Sequence, residues 1–159
     1  MSDSISDRLL EMLRHSDLPY VLHAHAAILT MADAEQQLPF DVARISKTIA
    51  FRRKDGGLIL ALLRGTARVD YPRLAELVGV NRRDLVPLSP DEVRELLGVN
   101  PGSVSPLMLR DDLTVYIEDD VLTILPTLFC GIGRPDRTLE ISATDLVRLT
   151  GGSVGGFSR

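Results

Sequence analysis

Ile45-Ser-Lys-Thr-Ile-Ala-Phe-Arg-Arg-Lys-Asp-Gly-Gly-Leu-Ile-Leu-Ala-Leu-Leu63 reads as two strands and the turn that joins them. From Ile45 to Arg53 apolar and polar residues alternate, the period of a strand with unlike faces. Leu58 to Leu63 is a continuous apolar run, as in a strand covered on both sides. Asp55-Gly56-Gly57 between them supplies residues that tolerate the left-handed turn a hairpin needs. This hairpin makes the chain a sheet protein. Lys47 is its odd member, a cation between isoleucines in a segment otherwise suited to a pleated, half-buried surface. Such a lysine either extends its stem to the sheet edge or lines a pocket on one face.

Working outward, Ser4 to His15 carries an apolar stripe at helical spacing, with Ser4 or Ser6 as a cap. Tyr20 to His23 reads as a short strand and Ala32 to Leu38 as a second helix stopping before Pro39. Pro72 to Val78 and Pro90 to Leu97 are helices with proline in the first turn, and Asn81 to Pro87 is a turn-rich connection. Thr114 to Ile117, Leu122 to Leu128 and Thr138 to Ile141 are strands, with Pro126 marking an edge or bulge. Ser142-Ala-Thr-Asp145 opens a last helix to Leu149. Strands and helices mix without strict alternation, so the expectation is an α/β (α+β) fold with a mixed, partly antiparallel sheet and helices around it. One domain over residues 1–150 and a flexible tail over 151–159, Gly-rich from Gly151 to Gly156, complete the expected organisation.

The 159 residues are 45% hydrophobic and 25% charged, the balance of an ordinary globular protein. No run approaches a membrane span, and the N-terminus lacks the shape of a signal peptide. The single cysteine, Cys130, cannot form an internal disulfide, which makes a cytoplasmic location the default. The net charge is −4, yet Arg44 to Arg83 holds ten basic residues against three acidic ones, a net of +7. That asymmetry describes either one electropositive face or a set of solvated strand ends. Few aromatics interleave the cations, so phosphate contact is favoured over base reading, and no DNA-reading element is evident.

Gly98-Val-Asn-Pro-Gly-Ser-Val-Ser-Pro106 is the second informative stretch. Two glycines and two prolines in nine residues make a sharply shaped loop rather than a helix interior. Its amides at Ser103, Val104 and Ser105 are candidate donors to a carbonyl or a developing oxyanion. Read alone, it is a helix cap followed by a structural turn.

Taken together, Lys47-Thr48 and Gly102-Ser-Val-Ser-Pro106 resemble the lysine strand segment and the Gly-x-x-x-Pro loop of the YbaK/ProX family, editing domains that deacylate mischarged tRNA. Tyr20-Val-Leu-His-Ala24, Leu62-Leu-Arg-Gly-Thr-Ala-Arg-Val-Asp70, Val115-Tyr-Ile-Glu-Asp119 and Thr138-Leu-Glu-Ile-Ser142 match in order and spacing, so the resemblance runs from about Asp17 to Thr150. It implies a barrel-like mixed sheet and a free-standing ester hydrolase for tRNA carrying a small amino acid. It implies no cofactor and substrate-assisted attack by water. The catalytic residues would be Lys47 and the loop Gly102, Ser103, Val104, Ser105 and Pro106. The pocket wall would be Tyr20, Thr48, Cys130 and Gly131. Docking of the acceptor arm would fall to Arg52, Arg53, Lys54, Arg82 and Arg83. The partners would be mischarged aminoacyl-tRNA and an aminoacyl-tRNA synthetase, with no membrane and no DNA. The alternative is a non-catalytic module of the same fold that binds tRNA ends or a synthetase. Alanine-editing branches carry a histidine near the stretch that reads Cys130 to Gly133 here, and this chain has none. The cysteinyl-tRNA branch differs at Val99-Asn100-Pro101.

Other chemistries are poorly supported. His23 and His25 can share a strand face as a metal pair, but later soft ligands are too few for a closed zinc site. His15 falls near a helix end. Cys130 lacks a readable base, and no nucleophile elbow, P-loop or dinucleotide fingerprint is present. Glu11, Glu35 and Glu140 have no partner evident from sequence.

Overall fold

A computed structural model of the chain describes residues 2–27, 32, 36 and 40–159. The helix expected over 32–38 lies outside the described residues, apart from Ala32 and Gln36. Helix α1 (Ser2–Ser16) leads into β1 (Val21–Ala24), then β2 (Ser46–Arg53) and β3 (Leu58–Arg64), helix α2 (Tyr71–Val78) and β4 (Leu85–Pro87). A one-turn α3 (Pro90–Glu92) continues as a π-helix over Val93–Leu97. After it come β5 (Leu113–Glu118), β6 (Leu128–Gly131), β7 (Arg137–Ile141), α4 (Ala143–Thr150) and β8 (Ser153–Gly155).

The strands form two sheets rather than one closed barrel. The larger has the order β4-β2-β3-β5-β8 and the smaller β1-β7-β6. β2 runs antiparallel to β3 and β4, while β3–β5 and β5–β8 are parallel. A single parallel bridge, Ile45 to Phe129, links β2 to β6 and makes the two sheets neighbours. The Ser46 hydroxyl reinforces this seam by donating to the Phe129 carbonyl at 2.8 Å.

The hairpin forms where its residues require it. Gly56 takes φ +102° in the turn, and the amide of Arg53 donates to the Gly57 carbonyl at 2.7 Å. Its alternation divides the core. Leu58, Leu60 and Leu62 pack with Val115, Ile117 and the Leu9–Leu13 stripe of α1. Ile59, Ala61 and Leu63 pack with Phe51, with Leu74 of α2 and with Phe157. Burying a leucine or phenylalanine stabilises by about 1.5–3 kcal/mol, so both faces of β3 anchor the fold.

Four expectations need correction. The strand expected over Leu122 to Leu128 begins only at Leu128. Asp119–Thr123 is a 3₁₀ turn, and the bond between Leu125 and Pro126 is cis. The turn-rich Asn81 to Pro87 includes the edge strand β4. Ser6 is not a cap but a buried residue within α1, its hydroxyl without a partner among the described residues. The tail is not free: β8 extends the large sheet, Phe157 is fully buried, and the Asp70 amide donates to the Phe157 carbonyl at 2.7 Å. An aromatic anchor among the glycines explains this, because burial of Phe157 offsets the backbone entropy that the glycines lose.

Candidate active site

Strand register brings the chemistry-bearing residues into one row. In the small sheet His23 lies opposite Thr138, and Thr138 lies opposite Gly131. Residues directly opposite each other project from the same face. Ile45 bridges Phe129 across the seam between the sheets, and Lys47 and Gly131 each lie two residues beyond that bridge on their own strands. His23, Thr138 and Gly131 thus stand abreast on three strands, a row about 10 Å wide at the usual strand spacing, with Lys47 across the seam from it.

Lys47 is half-buried on the face it shares with Ile45 and Ile49. Among the described residues its ammonium makes no hydrogen bond and no ion pair. Burial, and then the nearby Arg68 charge, hold its ammonium below the ordinary lysine range. Arg68 is exposed and has no ion pair among the described residues either. Two neighbouring cations without a carboxylate are a local surplus of positive charge, which suits an anionic ligand.

The Gly102–Pro106 loop lies over Gly131. A Cβ built on Gly131 would stand 2.6 Å from the Val104 carbonyl oxygen and 3.1 Å from that of Ser103. Glycine is therefore required here for close backbone approach. The Gly133 amide donates to the Ser103 carbonyl at 3.0 Å and ties the loop to the chain beyond β6. Within the loop, the expected trio of amide donors becomes a pair. Ser103 N–H is spent on the Asn100 carbonyl at 2.9 Å, closing the 3₁₀ turn Pro101–Ser103. The amides of Val104 and Ser105 have no partner among the described residues. Ser105 fixes the bend instead: its hydroxyl accepts from the Leu107 amide at 3.2 Å. Gly102 is exposed in the 3₁₀ turn and has no positive φ. Gly98, which ends the preceding helix at φ +73°, holds the left-handed position.

The other expected wall residues diverge. Tyr20 precedes Val21, which pairs with Glu140, so it stands about three residues along the sheet from Gly131 and packs on the main core. Thr48 points to the face opposite Lys47, buried, with its hydroxyl unpartnered among the described residues. Cys130 belongs to the core, and burial pushes its thiol up to about 12, which removes it as a nucleophile. Only Gly131 of the four lies in the row.

Non-local contacts supply what sequence reading did not find. Glu140 accepts from His23 Nε2 at 2.8 Å and from the Thr127 hydroxyl at 2.5 Å, and Arg44 Nη2 lies 3.3 Å away. The Thr127 bond first, then His23, holds the Glu140 carboxyl below its usual range. Arg44 lies over the Phe129 ring, and Phe40 stacks on that ring at 4.1 Å between centroids. His25 Nε2 lies 2.6 Å from the Thr138 hydroxyl, and its Nδ1 lies 2.6 Å from the Ala26 carbonyl. No cluster of three or more His, Cys, Asp or Glu suited to a metal occurs among the described residues.

Of the expected docking cations, Arg52, Arg53, Lys54 and Arg83 line one cleft of about 400 Å³ together with Arg110 and Asp112. Arg82 does not join them; its guanidinium stacks on Tyr71 at 4.4 Å. Arg52 and Arg53 are partly engaged, facing Glu92 and Asp55. No described helix is long and apolar enough to cross a membrane.

The aminoacyl-tRNA editing domain family matches residues 25–149. The uncharacterized protein YwhH of Bacillus subtilis (strain 168) is 30% identical over 117 residues, covering 74% of this chain and 72% of YwhH. A proline–tRNA ligase of Limosilactobacillus fermentum is 27% identical over 93 residues, which are 56% of this chain and 16% of the ligase. Among solved structures, hypothetical protein APE2540 superposes with a TM-score of 0.86 at 25% identity, covering 96% of this chain and 99% of its own. A candidate trans-editing enzyme for prolyl tRNA synthetase superposes at 0.79 and 28% identity, covering 97% and 96%. With the family model matched over most of its length, the chain belongs to the aminoacyl-tRNA editing domain family, the YbaK/ProX group that its sequence resembles.

Proposed function

We propose that the protein is a trans-acting deacylase that hydrolyses the ester of mischarged tRNA bearing a small amino acid. The observation that carries this reading is Lys47. It is a half-buried ammonium with no carboxylate or hydrogen-bond partner among the described residues, across the sheet seam from a glycine that admits the loop backbone. A cation kept this way in a protein of net charge −4 has its function in an incoming ligand.

The chemistry demands little of the protein. An ester is an activated bond, and the terminal ribose brings a vicinal hydroxyl. The amides of Val104 and Ser105 polarise the ester carbonyl and receive the charge that develops as water adds. Removing one such donor typically costs about 10²–10³ in rate. Lys47, with Arg68 beside it, contacts the ribose–phosphate end or the developing oxyanion. The cleft of Arg52, Arg53, Lys54 and Arg83 takes the acceptor-arm phosphates. A small acyl group is expected, because one methylene gives a synthetase only about 1–3 kcal/mol of discrimination. Small apolar amino acids are therefore the ones most often misattached.

A panel of tRNAs charged with noncognate small amino acids, incubated with the pure protein, tests this reading. Release of free amino acid from at least one member is expected. A folded protein that binds tRNA yet releases nothing would leave a binding module in place of the enzyme.

A further inference from the structure

We propose that Thr138 and His25 form a proton relay beside the site, a pair that the substrate-assisted scheme above does not use. This rests on the deacylase reading. His25 Nδ1 lies 2.6 Å from the Ala26 carbonyl. A carbonyl only accepts, so Nδ1 carries the proton of the neutral ring. Nε2 is then the bare nitrogen, and it lies 2.6 Å from the Thr138 hydroxyl, which donates to it. A hydroxyl whose proton is held by an imidazole that is itself oriented by a third group is the arrangement of an activated oxygen. Thr138 is half-exposed and pairs directly with Gly131, the residue under the loop that holds the unpaired Val104 and Ser105 amides. Thr138 and the Ser103–Val104 stretch of the loop therefore meet at the same glycine.

The step balances without an added reagent. Water gives one proton to Thr138 Oγ1 as Thr138 passes its own to His25 Nε2. The water oxygen bonds to the ester carbon, and the carbonyl electron pair moves onto oxygen, facing the loop amides. When that pair returns, the bond to the ribose oxygen breaks, and the proton travels back from His25 through Thr138 to the leaving oxygen. The products are a free amino acid and uncharged tRNA.

The test uses the full chain and the mischarged tRNA that the wild-type protein hydrolyses. Thr138→Val keeps the shape and suits a strand, so it folds; it removes only the relay oxygen. Single-turnover hydrolysis by Thr138→Val is expected to slow by about 10²-fold, the lower end for general acid–base work, with tRNA affinity unchanged. Thr138→Ser should restore most of the rate, and His25→Ala should regain rate on addition of imidazole. Nitrogen-15 shifts of His25 should show the Nδ1-protonated tautomer, a readout that needs no activity. A Thr138→Val rate within twofold of wild type overturns the relay while leaving the deacylase reading intact, and an Nε2-protonated tautomer overturns it as well. A wild-type protein inactive on every charged tRNA removes the deacylase reading, and the relay with it.

Discussion

Gly131→Ala probes the central contact of the site with a single methyl group. The added Cβ would meet the Val104 carbonyl oxygen at 2.6 Å and the Ser103 oxygen at 3.1 Å. Both are backbone atoms in a buried segment, so no flexible side-chain end can swing away. Moving the carbonyl from 2.6 Å to the 3.4 Å where ordinary contact begins is a retreat of about 0.8 Å. The loop that must retreat is the one that carries the Val104 and Ser105 amides. Overpacking of this kind costs typically 1–3 kcal/mol, and a misplacement near 1 Å lowers a rate by up to about 10²-fold. The expected variant is folded, melts several degrees lower, and hydrolyses mischarged tRNA at about one-hundredth of the wild-type single-turnover rate. Its tRNA affinity should be unchanged, because the basic cleft lies elsewhere. A Gly131→Ala protein with wild-type melting and wild-type rate would refute the claim that the loop is seated on this glycine.

Reversing Arg52 and Arg53 to Glu should weaken tRNA binding and flatten its dependence on salt, since fewer counterions are released. Hydrolysis of a minimal aminoacyl ester should be spared, and equal loss on both substrates would show a damaged fold instead. Glu140 has a depressed pKa in the folded protein, so its stabilising contribution is present above the ordinary value of 4.5 and is lost as pH falls through the lower folded value. Acid unfolding of Glu140→Gln should accordingly show less pH dependence below about pH 4.5 than wild type, and parallel curves would assign the loss to other groups. Phe157→Ala should cost about 3–5 kcal/mol in denaturant melts, as for other buried phenylalanines, and a change under about 1 kcal/mol would return the tail to a mobile state.

What the sequence made legible followed from local chemistry. The hairpin showed because alternation, an apolar run and a glycine turn all agree over nineteen consecutive residues. The cap at Ser142 forms from a side chain three residues from its target, the Asp145 amide. The misplaced strand near Leu122 has the same cause turned around. Ile124-Leu125-Pro126 is as apolar as a strand, and only the pairing of Leu128 with Ile141 decides where β6 starts. Lys47 and the loop were legible as oddities of local pattern. Glu140 was not, because its donors Arg44 and His23 lie about a hundred residues away. His25 and Thr138 are separated by 113 residues, so only the antiparallel pairing of β1 with β7 brings them together. The shared face of His23 and His25 was the available signal, and it pointed to a metal rather than to a threonine partner. The spent amide of Ser103 depended on Asn100 closing a 3₁₀ turn, a choice the Asn-Pro-Gly sequence permits but does not compel.

The most direct measurement of the central claim is single-turnover hydrolysis of a mischarged tRNA by wild type and by Lys47→Met, a neutral side chain of similar length. Lys47 has no ion pair or hydrogen bond to lose among the described residues. The account therefore predicts a native fold, melting at or above the wild-type temperature, and a hydrolysis rate reduced at least about 10²-fold, as for loss of one charge-stabilising group. A folded Lys47→Met protein that hydrolyses the same tRNA at the wild-type rate would contradict it.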